Sequence, residues 1–364
     1  MTATMHTPAT QDSTAVFPMT PRGPLSAELM TLLSSAPDGS AADGTALDNT
    51  DPAAGIVLSA RSALAAAESI TRDEDVQLSL FILYGLHYGS FDAVSADWEW
   101  QPSLVAARTA LERAFEAELR ATIDVPELPE PTRAAVAQAL SALTTAEGGP
   151  SLSRYVAKQA TREQLGEFLM QRSVYTLREA DPHSWAIPRL TGRAKAALVE
   201  IQTDEYGSGR FARMHSEIFA TTIRSFGLES RYGHYVSDVP AITLASLNVM
   251  SMFGINRRLR GAIVGHLAAF EMTSSIPNGM YARGFSRLGY GTEVTAYFDE
   301  HVAADAVHEQ IAAHDLAGAL AEDEPGLLGD ILFGAAACLV VDGWAGSHML
   351  DAWTAGRSSL REER

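Results

Sequence analysis

Apolar residues recur at three- and four-residue spacing along most of the chain after Gly55, which is the pattern of helices that bury one face. No stretch of useful length alternates apolar and polar residues as a half-buried strand does. The sequence therefore predicts an all-α fold. The predicted helices cover residues 26–33, 56–67, 76–87, 104–123, 134–143, 161–179, 191–202, 242–253, 259–272, 293–316 and 327–349.

Breaks in this pattern predict how the chain is organised. The first residues are rich in Thr, Ala and Pro without periodicity, which favours disorder. Pro277, Gly279 and Gly284 interrupt residues 274–288, and such a segment is expected to line the mouth of a pocket. Four regions are expected: a disordered arm at 1–24, helices packing on the core at 25–150, the core domain at 151–354 and a charged tail at 355–364.

Composition and charge exclude several classes of function. The net charge of −18 argues against nucleic-acid binding, which needs a basic face. The start of the chain lacks a basic stretch followed by an apolar one, and we expect no apolar run near the roughly 18 residues of a membrane span. These features predict a cytoplasmic protein without a membrane partner. The lone cysteine, Cys338, lies in an apolar run and is expected to be a buried small hydrophobe.

Three residues with metal-binding side chains share one helical stripe. His301, Asp305 and His308 stand at i, i+4 and i+7, so their directions differ by only about 60° at about 100° per residue. Helical bundles project iron or manganese ligands inward with such spacing. The alternative is a solvated helix face. His314 points about 140° away from the stripe and is excluded.

Other carboxylates and imidazoles come before this stripe. Glu179 follows an apolar helix face and precedes Asp181-Pro182, so it is either a ligand or a solvent-facing helix end. Glu271 lies among apolar residues, where an unpaired carboxylate is costly and needs a cation, a metal or a proton. His266, five residues earlier, faces another way and is expected to be a packed core histidine.

Glu205 precedes His215 by ten residues, which on an ideal helix puts them about 80° apart. Gly207 and Gly209 between them could supply a bulge or tightened turn that brings both inward. The neighbouring Asp204 is the alternative inward group, because adjacent helical residues point about 100° apart.

These residues form a set of four carboxylates and three imidazoles, which suits two iron or manganese ions. Zinc fits less well, because cysteine ligands are absent and one tetrahedral site needs only four donors. Glu112, Glu116 and Glu118 are left out, because interleaved arginines favour a solvated face. The candidate metal ligands are Glu179, Glu205, His215, Glu271, His301, Asp305 and His308.

The order and spacing of this set resemble the haem-oxygenase-like diiron oxidases and oxygenases, the bacterial iron-containing redox enzymes. The phrases Arg178-Glu-Ala-Asp-Pro-His183, Ile187-Pro-Arg-Leu190 and Asp204-Glu-Tyr-Gly-Ser-Gly209 are similar to that family's sequences. The resemblance covers about residues 150–350. It implies a haem-oxygenase-like bundle of about seven core helices, here with extra N-terminal helices, that holds two Fe ions with the seven ligands as its site.

The resemblance also implies an activity: O2 as co-substrate, a peroxo-diiron(III) state and oxidation of a small amine or amino-acid-derived substrate. Members that oxygenate nitrogen carry an additional carboxylate on the helix with the imidazole, and Glu205 resembles it, so N-oxygenation is ranked first. Oxidative C–C cleavage or decarboxylation is the alternative reaction. An iron-binding bundle without substrate and a binding protein that has lost its chemistry are the non-enzyme alternatives. An external electron donor and a homodimer are expected by the same resemblance.

Overall fold

The computed structural model describes residues 16–37, 51, 53–145 and 151–362, apart from the side chains of residues 303–307. Within these ranges every regular element is a helix, which confirms the all-α prediction. The helices that precede the core domain are α1 (Pro24–Leu33), α2 (Ile56–Ala66), α3 (Glu74–Tyr88), α4 (Pro102–Thr122) and α5 (Arg133–Thr144). The following helices are α6 (Leu152–Lys158), α7 (Arg162–Thr176), α8 (Asp181–Ser184), α9 (Gly192–Glu205), α10 (His215–Phe226), α11 (Ala241–Ile255), α12 (Arg260–Arg287), α13 (Thr292–Gln310), α14 (Ala319–Asp323) and α15 (Leu328–Thr354).

The N-terminal helices pack directly on the core. Helix α3 begins where Asp73 accepts a hydrogen bond from the Val76 amide, and its apolar middle is buried on all sides against α1, α4 and α11. Helix α5 packs on the helical segment that follows α13. The first part of the chain is therefore continuous with the apolar core of the second.

The prediction of a disordered arm to residue 24 is wrong for residues 16–24. Phe17 and Met19 are buried, and Arg22 forms an ion pair of 2.6 Å with Glu74. Arg22 also donates a hydrogen bond of 2.7 Å to the carbonyl of Val239. Two apolar anchors and a buried guanidinium hold this stretch in place, and a composition rich in Thr, Ala and Pro does not reveal them. Residues 1–15 lie outside the described residues.

Glu112 also departs from prediction. Glu112 is buried instead of lying on a solvated face. Its Oε1 lies 3.4 Å from Arg108 Nε and accepts a hydrogen bond of 3.1 Å from the Tyr84 hydroxyl. Glu118 accepts hydrogen bonds from the amides of Ile70 and Thr71. Arg108 and Glu112 of α4 therefore pair inside the protein, and Glu118 pairs with the backbone of the turn before α3.

Helix α12 is the central element and packs on both α13 and α15. It approaches α15 closely because each helix places a glycine against the other's backbone. A Cβ atom on Gly265 would stand 1.8 Å from the Ile331 carbonyl oxygen, and one on Gly334 would stand 1.9 Å from that of Ala262. A larger residue at either position would force the helices apart.

The predicted break at residues 274–288 is wrong, because α12 continues through Pro277. Proline removes one backbone donor, but the flanking turns are held by packing along the whole helix. Gly284 contributes to that packing, since a Cβ there would lie 2.6 Å from the Val156 carbonyl oxygen on α6. Ser274, Pro277 and neighbouring residues do line a cavity, so the segment is a pocket wall without being a loop.

The helix predicted over residues 293–316 changes its winding near its end. Helix α13 gives way at Ile311 to a π-helix that extends to Gly318, and this π-helix packs on α5 and α9. The C-terminal segment 325–354 is long and apolar enough to cross a membrane by length and composition, contrary to the expectation for this chain. Most of its apolar window is buried inside the fold, as in a core helix.

Candidate metal centre

Glu179 lies in the turn between α7 and α8. Helix α7 ends at Thr176, and Ala180 has a left-handed backbone (φ 75°) before Asp181-Pro182 opens the next helix. The Glu179 side chain is buried, and its Oε1 accepts a hydrogen bond of 2.7 Å from the Tyr297 hydroxyl. The alternative of a solvent-facing helix end is therefore wrong.

Glu205 and His215 face each other across a break between two helices. Glu205 is the last residue of α9 and His215 is the first of α10, so no continuous helix joins them. Gly207 and Gly209 have positive φ values of 63° and 75°, and Ser208 between them has φ 52°. The glycines thus reverse the chain instead of forming a bulge, and they bring His215 Nδ1 to 2.9 Å from Glu205 Oε2.

Each of the two imidazoles on the α13 stripe faces a buried carboxylate, His301 facing Glu179 and His308 facing Glu271. His301 donates from Nδ1 to the Tyr297 carbonyl at 2.8 Å, which leaves Nε2 facing Glu179 Oε1 at 3.6 Å. His308 has its Nε2 3.1 Å from Asp204 Oδ2, which leaves Nδ1 facing Glu271 Oε2 at 3.4 Å. In each ring, one nitrogen is engaged by this hydrogen bond, and the other nitrogen is therefore the one that a metal can bind.

The side chains form two groups that share one carboxylate. Within each group, one ligand atom per residue lies within 4.8 Å of all the others. The first group is Glu179, Glu205, His215 and His301, and the second is Glu205, Glu271 and His308. Glu205 stands in both, which is the arrangement expected of a carboxylate between two adjacent cations.

The other candidates have different outcomes. The Asp305 side chain lies outside the described residues, so its place in the set stays a prediction. Asp204 has a half-exposed side chain and contacts His308 from the outer side, so Glu205 is the inward group of the pair. His266 is buried and lies 3.2 Å from the ring of His183, as expected of a core histidine. His314 belongs to neither group among the described residues.

Three atoms of the set show that the residues fit a bound cation. Glu179 Oε2 is buried without a hydrogen-bond partner among the described residues, and the buried His215 Nδ1 and His308 Nδ1 face only the carboxylates of Glu205 and Glu271. Buried polar atoms normally have a partner, and those without one need an explanation. Carboxylate and imidazole donors without thiolate suit iron or manganese. Iron between these groups would satisfy the three atoms together.

Without metal, the carboxylates hold protons on the imidazoles. Burial would lower the pKa of His301, but the adjacent Glu179 carboxylate raises it to about 10. The Glu271 carboxylate raises the pKa of His308 to about 9 against the effect of burial. Burial lowers the pKa of His183 to about 4, so that ring is neutral. Metal binding must displace protons from the first two rings and is therefore linked to pH.

A large cavity adjoins this centre. It has a volume of about 460 Å³ and lies between α7, α11, α12 and α15. A small void of about 10 Å³ lies at the centre itself. Tyr175, Phe270 and Ser274 line both spaces and therefore form the wall between them. A substrate in the cavity would contact the opposite face of side chains that border the ligand cluster.

Two residues that contact the cluster were missed by the sequence reasoning. Tyr297 binds Glu179 through its hydroxyl and His301 through its carbonyl, and its position one helical turn before His301 was the available signal. Tyr175 occupies the same position relative to Glu179, four residues earlier, and lines the small void. Neither stands out by composition alone.

Comparison with known proteins agrees with this geometry. Residues 166–343 match the model of a family described as iron-containing redox enzymes. The chain is also 29% identical over 187 residues to nitrosourea synthase from Streptomyces achromogenes subsp. streptozoticus. That similarity covers 50% of this chain and 40% of the relative, so the chain spans less than half of that enzyme's length.

Proposed function

We propose that this protein is a non-haem diiron oxygenase, because residues 166–343 match the model of the iron-containing redox enzyme family. Its reaction is the O2-dependent oxidation of a small amine or amino-acid-derived substrate, with oxygenation at nitrogen ranked first. The carrying observation is that Glu205 belongs to both groups of ligand atoms, which suits two irons side by side. The proposal includes Asp305 as a ligand, an external electron donor and a cytoplasmic location.

Two observations support oxygenation at nitrogen over C–C cleavage. Glu205 approaches the imidazoles of the first group besides Glu179, which supports it as the additional carboxylate expected of N-oxygenating members, although it ends α9 and His215 begins α10. The relative found by comparison is named for the synthesis of a nitrosourea, a product with oxidised nitrogen. Cleavage of a C–C bond by the same cofactor remains the second candidate.

The protein's own residues have separate roles in this proposal. Bound iron would supply the electrons that activate O2. Tyr297 holds Glu179 and His301 in position through its hydroxyl and its carbonyl. Tyr175 and Phe270 limit the space beside the cluster to about 10 Å³, which leaves little room for water. The cavity beyond them favours an enzyme over an iron-binding bundle, which needs no substrate space.

Anaerobic titration with Fe(II), followed by O2, tests the proposal. We expect two equivalents to bind and a transient visible absorbance to appear after O2. Amines should accelerate its decay, and acceleration by carboxylic acids alone would favour C–C cleavage. Iron uptake far above two per chain would support a storage bundle, and no binding would support a protein without this chemistry. The variant His314→Ala serves as the control, since this imidazole stands outside both groups.

A further inference from the structure

The large cavity beside the ligand cluster contains two opposite charges. Arg172 enters it from α7 and Asp342 from α15, and they are the charged residues of its lining. The Ser246 hydroxyl donates a hydrogen bond of 2.6 Å to Asp342 Oδ1. Asp342 is an exposed residue of this lining, although the protein around it desolvates its carboxyl enough to raise the pKa.

The two charges do not pair with each other. In the described part of the chain, neither Arg172 nor Asp342 forms a salt bridge, although each senses the charge of the other. The guanidinium lies 5.6 Å and 5.8 Å from the ring centres of Phe168 and Tyr281. Arg172 is half-buried and Asp342 is exposed, and neither has an oppositely charged side chain in contact among the described residues. A ligand between them with complementary charges could therefore form a charge-assisted hydrogen bond to each.

Buried polar atoms in the same lining also lack partners. Thr176 Oγ1 and Asn278 Oδ1 belong to side chains that are 0% and 3% exposed, and Arg172 Nε is likewise unpaired among the described residues. The neighbouring Gln171 is in contrast satisfied, because it bonds to Ser359 and Thr243. The unpaired set thus offers donors and acceptors to a polar ligand.

We propose that this cavity binds the head group of a free α-amino acid, its carboxylate at Arg172 and its ammonium at Asp342, with the side chain directed toward the metal centre. Arg172 lies in α7, which ends three residues before Glu179, and its guanidinium senses the Glu179 charge, so a long ligand side chain would extend from the head group toward the ligand cluster. Val174, Leu247 and Met250 give the cavity apolar wall for such a side chain. The inference rests on the proposed function, under which this cavity is the substrate site of the enzyme.

The test deletes one charge from the ligand and one from the protein. Calorimetry under argon on the iron-loaded protein measures the binding of L-lysine, L-arginine and L-norleucine without turnover. It is repeated with L-lysinamide, which lacks the carboxylate, and with 6-aminohexanoate, which lacks the α-ammonium. We expect wild-type protein to bind L-lysine at least about 30-fold more tightly than either analogue, as for a desolvated charge pair.

The variants should lose discrimination selectively. Arg172→Gln should bind L-lysine and L-lysinamide equally, while it still discriminates against 6-aminohexanoate. Asp342→Asn should bind L-lysine and 6-aminohexanoate equally, while it still discriminates against L-lysinamide. A general disturbance of the fold would weaken all ligands together. Arg162→Gln and Asp351→Asn, on the same two helices and outside the cavity lining, should behave as wild type.

Several outcomes overturn the inference. It fails if the analogues bind as well as L-lysine, or if none of the amino acids binds wild-type protein at millimolar concentration. It also fails if each variant weakens every ligand equally while Arg172→Lys and Asp342→Glu restore nothing. Charge-selective binding in a protein that takes up no iron would support the head-group site and contradict the proposed function. Normal iron binding and O2 reactivity without charge-selective binding would support the proposed function and contradict the head-group site.

Discussion

Replacing Glu205 by glutamine should weaken both metal positions, while replacing its neighbour Asp204 by asparagine should weaken only one. The structure gives the two residues different roles, although they are adjacent in sequence. Glu205 contributes a ligand atom to both groups of the cluster. Asp204 contacts the ring of His308 from outside, at 3.1 Å, and His308 belongs to the second group alone.

The expected magnitudes follow from these contacts. Loss of a residue that orients a ligand typically costs about 10–100-fold in metal affinity, or about 1.4–2.7 kcal/mol. Asp204→Asn should therefore show one normal and one weakened binding step. Loss of a direct ligand should exceed about 100-fold, and Glu205→Gln should show this at both steps. The O2-dependent transient absorbance requires both ions, so Glu205→Gln should lose it more completely.

Anaerobic Fe(II) titration followed by calorimetry resolves the two steps. Helical circular dichroism controls for folding, and His314→Ala provides a matched change of an imidazole outside the cluster. The reasoning is refuted if Asp204→Asn weakens both steps as much as Glu205→Gln does. It is also refuted if Glu205→Gln binds two irons with wild-type affinity, which would remove Glu205 from the centre.

Three further predictions concern the supports of the cluster. Gly207→Ala should lower the free energy of unfolding by about 2–4 kcal/mol and reduce iron content, because the Gly207 φ is 63° and a Cβ would stand 2.5 Å from the carbonyl carbon of Arg213. An unchanged midpoint of urea unfolding would contradict this. Tyr297→Phe removes the hydrogen bond to Glu179 and should lower iron affinity about 10-fold by titration, whereas equal affinity would make the tyrosine incidental. In metal-free protein, the raised pKa values of His301 and His308 stabilise the fold fully below about pH 6.5, and this stabilisation disappears as pH rises through about 9 and 10. Urea unfolding across that range should show the free energy of unfolding decline. The decline should be smaller in His301→Gln.

The sequence was sufficient where the information is local. The 3.6-residue period predicts that His301 and His308 face one way on α13, and hydrogen bonding cannot change that geometry once the helix forms. Apolar neighbours likewise marked Glu271 as a carboxylate in need of a partner. The order and spacing of motifs predicted a family of iron-containing redox enzymes, and residues 166–343 match the model of that family.

Only the tertiary structure decided what depends on contacts between distant segments. The glycines after Glu205 indicate a turn, but packing determines that this turn faces His215 and leaves Asp204 outside. Pro277 predicts a break, yet burial of α12 on both sides of it keeps the helix intact. Arg172 and Asp342 are 170 positions apart in the sequence and lie in one cavity because α7 and α15 both border it. Periodicity describes the faces of single helices, whereas a site is formed by which faces meet, and the burial energy of the whole core determines that.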